Sequence, residues 1–342
     1  MELDIKSALK ALTDKAGVSG DEREASEAAA ELLRKYAENV EIDSFGNVTG
    51  IVKADAPDAE TLMLDAHIDR IGMIVTYIDD GGFVKMGAVG GLDTRIMLAQ
   101  SVTVHGKQKV RGVISTLPPH VSKEHSKVAE IGELAVDVGM TKEQAEKCIS
   151  PGDRITVNSD FRELAGERVS AAAIDDRSGV CAVLAALEML KGRKLKYNIA
   201  VSFSAQEETG ERGVKQTAFR IQPDRAIAVD VSFGRTPDSE PQDTAELGSG
   251  VMIGFSAALD REMSESLREL AKEKNISHTI EVMPSSTGTN ADSIAVSGRG
   301  VRCCTLSFPI RYMHTPVETV DIRDIEATAR LIAEYAGGER NV

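Results

Sequence analysis

An α/β fold interrupted by a block of all-β texture is the architecture that this 342-residue chain predicts. Three observations carry that expectation. Apolar, β-branched runs recur at Thr61-Leu-Met-Leu-Asp-Ala66, Asn198-Ile-Ala-Val-Ser-Phe203, Arg225-Ala-Ile-Ala-Val-Asp230 and Val301-Arg-Cys-Cys-Thr-Leu-Ser307, as buried strands do. Segments of helical period lie around them. From about Ile71 to Phe161 the texture changes, and short β-type runs alternate with glycine turns at Gly81-Gly82 and Gly90-Gly91, as in a small sandwich or barrel. The expected division is residues 1–69 and 164–342 for the α/β part, and 70–163 for the inserted block.

In chain order, Ile5, Leu9 and Leu12 recur at helical spacing, and the run stops at Gly17. Ser19-Gly-Asp-Glu22 supplies a start signal for a second helix, Ala25 to Tyr36. Two strand-like pieces, Val40 to Asp43 and Asn47 to Lys53, flank a turn at Gly46. Inside the β block, Thr141-Lys-Glu-Gln144 resembles a capping box ahead of a short helix. His105, His120 and His125 also lie in the block and are taken as structural or exposed. Beyond it, Val180 to Leu190 forms a long apolar helix behind Asp175-Asp176. Arg212 to Phe219 opens another helix, Met263 to Lys274 a third, and Ile322 to Tyr335 closes the chain. Val301 to Ser307 reads as the last strand.

Hydrophobic content of 42% and charged content of 27% describe an ordinary globular protein. The net charge of −14 repels phosphate backbones and anionic membranes, which argues against nucleic acid or membrane as partners. Cys148, Cys181, Cys303 and Cys304 show neither a disulfide framework nor a zinc-knuckle spacing. The first residues lack the apolar core of a signal peptide, and no apolar run approaches the ~18 residues of a membrane span. The expectation is a cytoplasmic, soluble protein.

The chemistry is concentrated in Val201-Ser-Phe-Ser-Ala-Gln-Glu-Glu-Thr-Gly-Glu-Arg-Gly213. Glu207 and Glu208 stand at the carboxyl end of a strand, where open α/β sheets place their ligands. Neighbouring strand residues face opposite ways, so both can serve one site only if the backbone turns, and Gly210 suggests where. Alone, such a pair is a solvated acidic turn. Likewise His67-Ile-Asp69 alone is weak, and Asp175-Asp176 alone is a helix cap. Together, His67, Asp175, Glu208, Asp230 and His314 place a potential metal ligand near the end of several strands. Two histidines and three carboxylates suit two divalent ions sharing one bridging carboxylate. Glu207 is left over beside a ligand, where a general base is wanted.

The ordered set Ala66-His-Ile-Asp69, Ile174-Asp-Asp-Arg-Ser-Gly179, Gln206-Glu-Glu-Thr-Gly210, Val229-Asp-Val231 and Arg311-Tyr-Met-His314 resembles the signature of the M42 family of dinuclear metallo-aminopeptidases, which includes the tetrahedral (TET) and glutamyl aminopeptidases. Val18-Ser-Gly-Asp-Glu22, Gly90-Gly-Leu-Asp93 and Leu117-Pro-Pro-His120 also look like family landmarks. The resemblance runs essentially end to end. It implies a dinuclear zinc-exopeptidase-type αβα catalytic domain and an oligomerisation domain in the β block. It assigns one metal ion to His67, Asp175 and Asp230, and the other to Asp175, Glu208 and His314, with zinc the first expectation and cobalt or manganese accepted by the same ligands. Glu207 matches the family's catalytic base and Asp69 the acid behind His67. The implied substrates are short peptides losing their N-terminal residue, and the implied assembly is a dimer-based homo-oligomer that extends to a dodecamer. Two departures, Arg70 after His-x-Asp and Asn290 with Asp292 in the Gly288-Thr-Asn-Ala291 turn, bear on substrate recognition.

Three rivals come from other classes. A carboxypeptidase or deacylase of the related M20 family uses similar ligands. A glycosidase needs two carboxylates flanking a sugar and no histidine–carboxylate set. A non-catalytic assembly protein has no need to keep all five ligands and Glu207.

Overall fold

The computed structural model describes residues 3–115 and 128–340. Among these, eleven strands form one sheet and six others close into a barrel. The expected landmark at Leu117 to His120, and His125, lie outside the described residues.

Four parallel strands stand side by side at the middle of the sheet: Asn198–Ser204, Thr61–His67, Arg225–Phe233 and Arg302–Arg311. Their carboxyl ends therefore share one edge. Alternation then sorts the side chains. Leu62, Leu64 and Ala66 enter the large core with Val180, Val183 and Leu187 of helix Ile174–Leu190 and with Ile325 and Ile332 of helix Ile322–Ala336. Met63 faces the other way, into a smaller core with Val214 and Ala218 of helix Arg212–Ile221 and with Ala291 and Ile294. Helices thus cover both faces. That explains why these strands read as nearly continuous apolar runs.

Strand Arg302–Arg311 continues past the expected end at Ser307, straight through Pro309. On one side Pro309 stands against Ser232. On the other it falls between two antiparallel neighbours, Val251–Ser256, pairing at Leu306 and Ser307, and Glu318–Asp321, pairing at Ile310 and Arg311. A residue without an N–H is tolerated in that gap. Nor is this strand the last, since Glu318–Asp321 and Gly337–Arg340 follow.

The barrel runs Gly72–Ile78, Val84–Val89, Val136–Asp137, Lys109–Ile114, Ser101–His105 and Arg154–Val157 around its own core of Met73, Val75, Val102, Val104 and Ile155. At Gly112 a Cβ would come within 2.5 Å of Val136 Cγ1, so glycine lets the two strands close. His105, expected to be structural, bonds Thr156 Oγ1 through Nε2 at 2.8 Å. The capping box at Thr141 is present ahead of helix Lys142–Ala145. The chain leaves the barrel at Val157, and strand Arg162–Glu163 joins the edge of the large sheet.

One buried cation locks the first helix to the sheet. Arg177 is fully buried. Its guanidinium donates to the carbonyls of Leu12 (2.7 Å), Lys15 (2.6 Å), Ala16 (3.4 Å) and Ile68 (3.3 Å), which capture the C-terminal end of helix Ile5–Thr13 and the strand end beside His67. Arg177→Met fills the volume but orphans those carbonyls. Unfolding in urea is expected to show a loss of about 2–4 kcal/mol, the cost of several unsatisfied buried acceptors. A variant as stable as the parent would mean that the carbonyls find other partners.

Candidate metal centre

At the shared edge of the parallel strands, His67 ends one strand, and Asp230 stands near the end of the next. Asp65 pairs with Ala228 in that ladder, so His67 and Asp230, each two residues further on, project from the same face. Asp175 enters from the opposite element. The peptide between Asp175 and Asp176 is cis, and Ala173 just before them is left-handed at φ 61°. Neither aspartate has helical torsions, so the regular helix starts after them. Asp176 takes the capping role, accepting the Gly179 N–H at 3.1 Å through Oδ1 and the His67 N–H at 3.2 Å through Oδ2. That leaves Asp175 free to face the centre.

The turn that presents Glu207 and Glu208 differs from the expected one. The backbone reverses at Gln206, which is left-handed at φ 57°, before the pair, and Gly210 at φ 107° only completes the loop into the helix. What fixes the pair is Asp69. Its Oδ1 accepts the Glu207 N–H (2.9 Å), and its Oδ2 accepts the Glu208 N–H (3.2 Å) and the Ser19 hydroxyl (2.5 Å). The same carboxylate lies 3.5 Å from His67 Nδ1.

The ligand atoms form two groups, His67 with Asp175 and Asp230, and Asp175 with Glu208 and His314, each within 4.8 Å of one another. Asp175 belongs to both. His67 Nε2 is 2.9 Å from Asp175 Oδ1 and 3.9 Å from Asp230 Oδ1, while His314 Nε2 is 3.4 Å from Asp175 Oδ2 and 3.3 Å from Glu208 Oε2. Each imidazole turns its Nδ1 to a backbone carbonyl, Asp69 O at 3.2 Å for His67 and Gly91 O at 3.1 Å for His314. A proton held on Nδ1 leaves the Nε2 lone pair aimed at the carboxylates, as a metal ligand requires. The donor set therefore fits two divalent cations sharing Asp175. Gly91 reaches the site from the loop after the barrel strand Val84–Val89, and a Cβ there would come 2.8 Å from the His314 ring.

Glu318 was not singled out in the sequence. It is 2% exposed and lies behind the second group. Its Oε2 accepts the Asp175 N–H at 3.1 Å and its Oε1 the His314 N–H at 2.9 Å. Its only textual signal is an acid four residues past His314, at the start of a short strand. Arg70 is nearly buried as well and lines the same small cavity as Glu208, Asp175, His314 and Glu318, with room of about 20 Å³, enough for one water. Its guanidinium donates to Ile71 O through Nε at 3.3 Å and is attracted to Glu318 and Glu208. Asn290 is buried too, and donates to Asp65 (2.7 Å) and to Ser204 Oγ (2.8 Å). Asp292 accepts from the Thr287 and Gly288 N–H groups and shapes its own turn.

Without cations the centre holds protons instead. Burial raises Glu207 to about 7, with the charge of Asp69 adding to it, although His67 opposes the shift. Burial likewise lifts Glu318 to about 8, helped by Asp175. The hydrogen bond to Asp175 raises His314 to about 9.

A family model described as M42 glutamyl aminopeptidase matches residues 46–331. The chain belongs to the M42 peptidase family. Among relatives of the M42 chain, the lysyl aminopeptidase of Pyrococcus furiosus is 32% identical over 333 residues, covering 94% of each chain. Among solved structures, the aminopeptidase APDkam598 of the archaeon Desulfurococcus kamchatkensis superposes with a TM-score of 0.92 at 34% identity, covering 98% of this chain and 95% of its own. The Pyrococcus horikoshii TET1 peptidase, described as assembling into a tetrahedron or a large octahedral shell, gives 0.86 at 29% identity, with 98% and 100% covered. M42 membership supports an aminopeptidase function. No helix among the described residues is long and apolar enough to cross a membrane.

The raised values set a pH test for the M42 chain. A group that binds its proton more tightly folded than unfolded stabilises fully below its unfolded value, and that stability is lost as pH rises through the folded one. Glu207, Glu318 and His314 all shift in this direction. Chelator-treated protein is therefore expected to lose thermal stability from about pH 5 to about pH 9, and metal-loaded protein to lose little of it over the same range. Flat melting temperatures in the chelated sample across that window would contradict the proton load assigned to the centre.

Proposed function

We propose that the chain is a metal-dependent aminopeptidase that removes N-terminal residues from short peptides at a dinuclear centre. The carrying observation is the pair of ligand groups sharing Asp175, with both imidazoles presenting Nε2 and Glu207 near enough to act on the charges of His67 and Asp230. His67 and Asp230 complete one ion's set around Asp175, and Glu208 and His314 the other's. Zinc suits this mixture of imidazole and carboxylate, and cobalt or manganese is accepted by it.

When bound, such ions supply Lewis acidity toward a scissile carbonyl. The residues of the chain do the rest. Glu207 takes a proton from the attacking water as the carbonyl carbon–oxygen bond forms, and delivers it to the amine as the C–N bond breaks. Asp69 holds the Glu207 and Glu208 backbone with one carboxylate and faces the His67 ring with the same group, so base and ligands keep a fixed spacing. Residues 1–69 and 164–342 carry this chemistry in the proposal, and the β block at 70–163 mediates assembly into a dimer-based homo-oligomer, up to a dodecamer. The large assemblies described for the TET1 relative support that part.

The two glutamates separate the roles. Glu207→Gln keeps size but cannot accept the proton, and turnover is expected to fall ~10²–10⁴-fold with metal content retained. Glu208→Gln is expected to lose one ion. Turnover of Glu207→Gln within a few-fold of the parent, with both ions kept in Glu208→Gln, would overturn the assignment. Free-amine aminoacyl anilides should be cleaved and N-blocked ones refused; the reverse preference would favour a carboxypeptidase or deacylase. Assembly has its own check. Light scattering should find a homo-oligomer, and a monomer at working concentrations counts against the role given to the barrel.

A further inference from the structure

We propose that Glu318 is a positioning residue for the second ion's ligands, tying the backbone of Asp175 to the backbone of His314. The proposal rests on the two-ion reading above and adds a residue that this reading does not use.

Asp175 and His314 come from distant parts of the chain and are held by no common ladder. Asp175 follows the left-handed Ala173 and precedes the regular part of its helix. His314 is itself left-handed at φ 60°, three residues beyond the strand that ends at Arg311. Neither N–H has a strand or helix partner of its own; the Asp175 N–H is buried and must be satisfied, and the His314 N–H is half-buried. Glu318 satisfies both at once, Oε2 with Asp175 (3.1 Å) and Oε1 with His314 (2.9 Å).

The residue type follows from that task. A side chain that accepts from two N–H groups through two oxygens must be a carboxylate, because an amide offers one acceptor oxygen and turns N–H donors toward the other partner. Placing one more acid beside Asp175 and Glu208 is electrostatically unfavourable. The Arg70 guanidinium, lining the same cavity, is attracted to Glu318 and to Glu208 and offsets that crowding. Arg70 thus supports the ligand shell, in place of the substrate-recognition role that its sequence position suggested.

An asymmetry between the two ions follows. His67 is held by the ladder to Ser204 and by its own N–H on Asp176, and Asp230 by the ladder to Ser307, so neither depends on Glu318. Glu208 is held by Asp69. Of the second group, Asp175 and His314 are the members that Glu318 fixes, and Asp175 also keeps its place through the neighbouring Asp176 cap. Loosening Glu318 should release His314 first, and with it the second ion.

The test is metal binding. Chelator-stripped parent and Glu318→Gln are titrated with zinc in competition with a chromogenic chelator. In the variant the first ion is expected within a few-fold of the parent and the second about 10–100-fold weaker, the usual range for partners that orient ligands. Activity lost at low zinc should return as zinc is raised. Unchanged affinity for the second ion, or equal weakening of both, would overturn the proposal. Failure of the parent itself to bind two ions would overturn the two-ion reading instead. A readout that needs no variant covers the case of a poorly folded Glu318→Gln. In the metal-free parent, hydrogen exchange at the Asp175 and His314 amides should be much slower than at the exposed loop residues Asp55 and Asp58, and fast exchange at both would equally sink the idea.

Discussion

The Asp69 carboxylate is the contact on which the centre depends. Two backbone N–H groups, one hydroxyl and one imidazole converge on it from three separate segments, at Ser19, at the His67 strand end and at the Glu207-Glu208 turn. Hydrogen bonds to an ionised acceptor are short and strong, and they hold geometry as well as energy. Because Gln206 takes the left-handed torsions immediately before the pair, both glutamate N–H groups point back at Asp69 and both side chains are released toward the ligands. A neutral group at position 69 would have too few acceptor sites to hold all three segments.

Around that contact the site gathers buried negative charge, where screening is weak. Asp175, Asp176, Glu207, Glu208, Asp230 and Glu318 lie together with Asp69, and among the described residues the buried guanidinium groups of Arg70 and Arg177 stand close to them. Such a cluster is stable either with protons on several members or with cations among them. The arrangement thus makes cation binding and the folded state parts of one balance, in which the protein's own arginines cover what lies deepest.

Legibility in the sequence followed how much a residue's role is expressed by its own type and neighbours. His67, Asp69, Asp175, Glu207, Glu208, Asp230 and His314 stand out because two of the chain's six histidines recur with carboxylates near strand ends, and the structure brings five of them into two groups and sets Asp69 against the Glu207 and Glu208 backbone. Strands buried on both faces were visible as unbroken apolar runs. Glu318 was not, since a carboxylate that serves two backbone amides looks like any acid near a turn. The same holds for the reversal at Gln206, whose side chain carries no turn signal, whereas Gly210 does. Pro309 disfavours a central strand by its local rule, and the staggered ends of two neighbours relieve it, so the strand runs past the expected end at Ser307. Arg70 and Asn290 interrupt a motif and so bear on substrate recognition in the sequence; in the structure both are buried, Asn290 on Asp65 and Ser204 and Arg70 near Glu318 and Glu208.

The insertion of the barrel has a consequence for how the chain reaches this state. Thr61–His67 must pair with Asn198–Ser204, and the whole barrel lies between them in sequence. Joining strands so far apart is entropically costly and slow when the intervening chain is loose. The barrel's own pairings, such as Gly72–Ile78 with Val84–Val89 and Ser101–His105 with Lys109–Ile114, are local hairpins around a separate core. Once they form, the long intervening segment becomes a compact body that shortens the effective loop between the two strands. A block built from such local pairings closes faster than a long-range strand pair, so what separates the two strands in sequence is a compact insert rather than a loose chain.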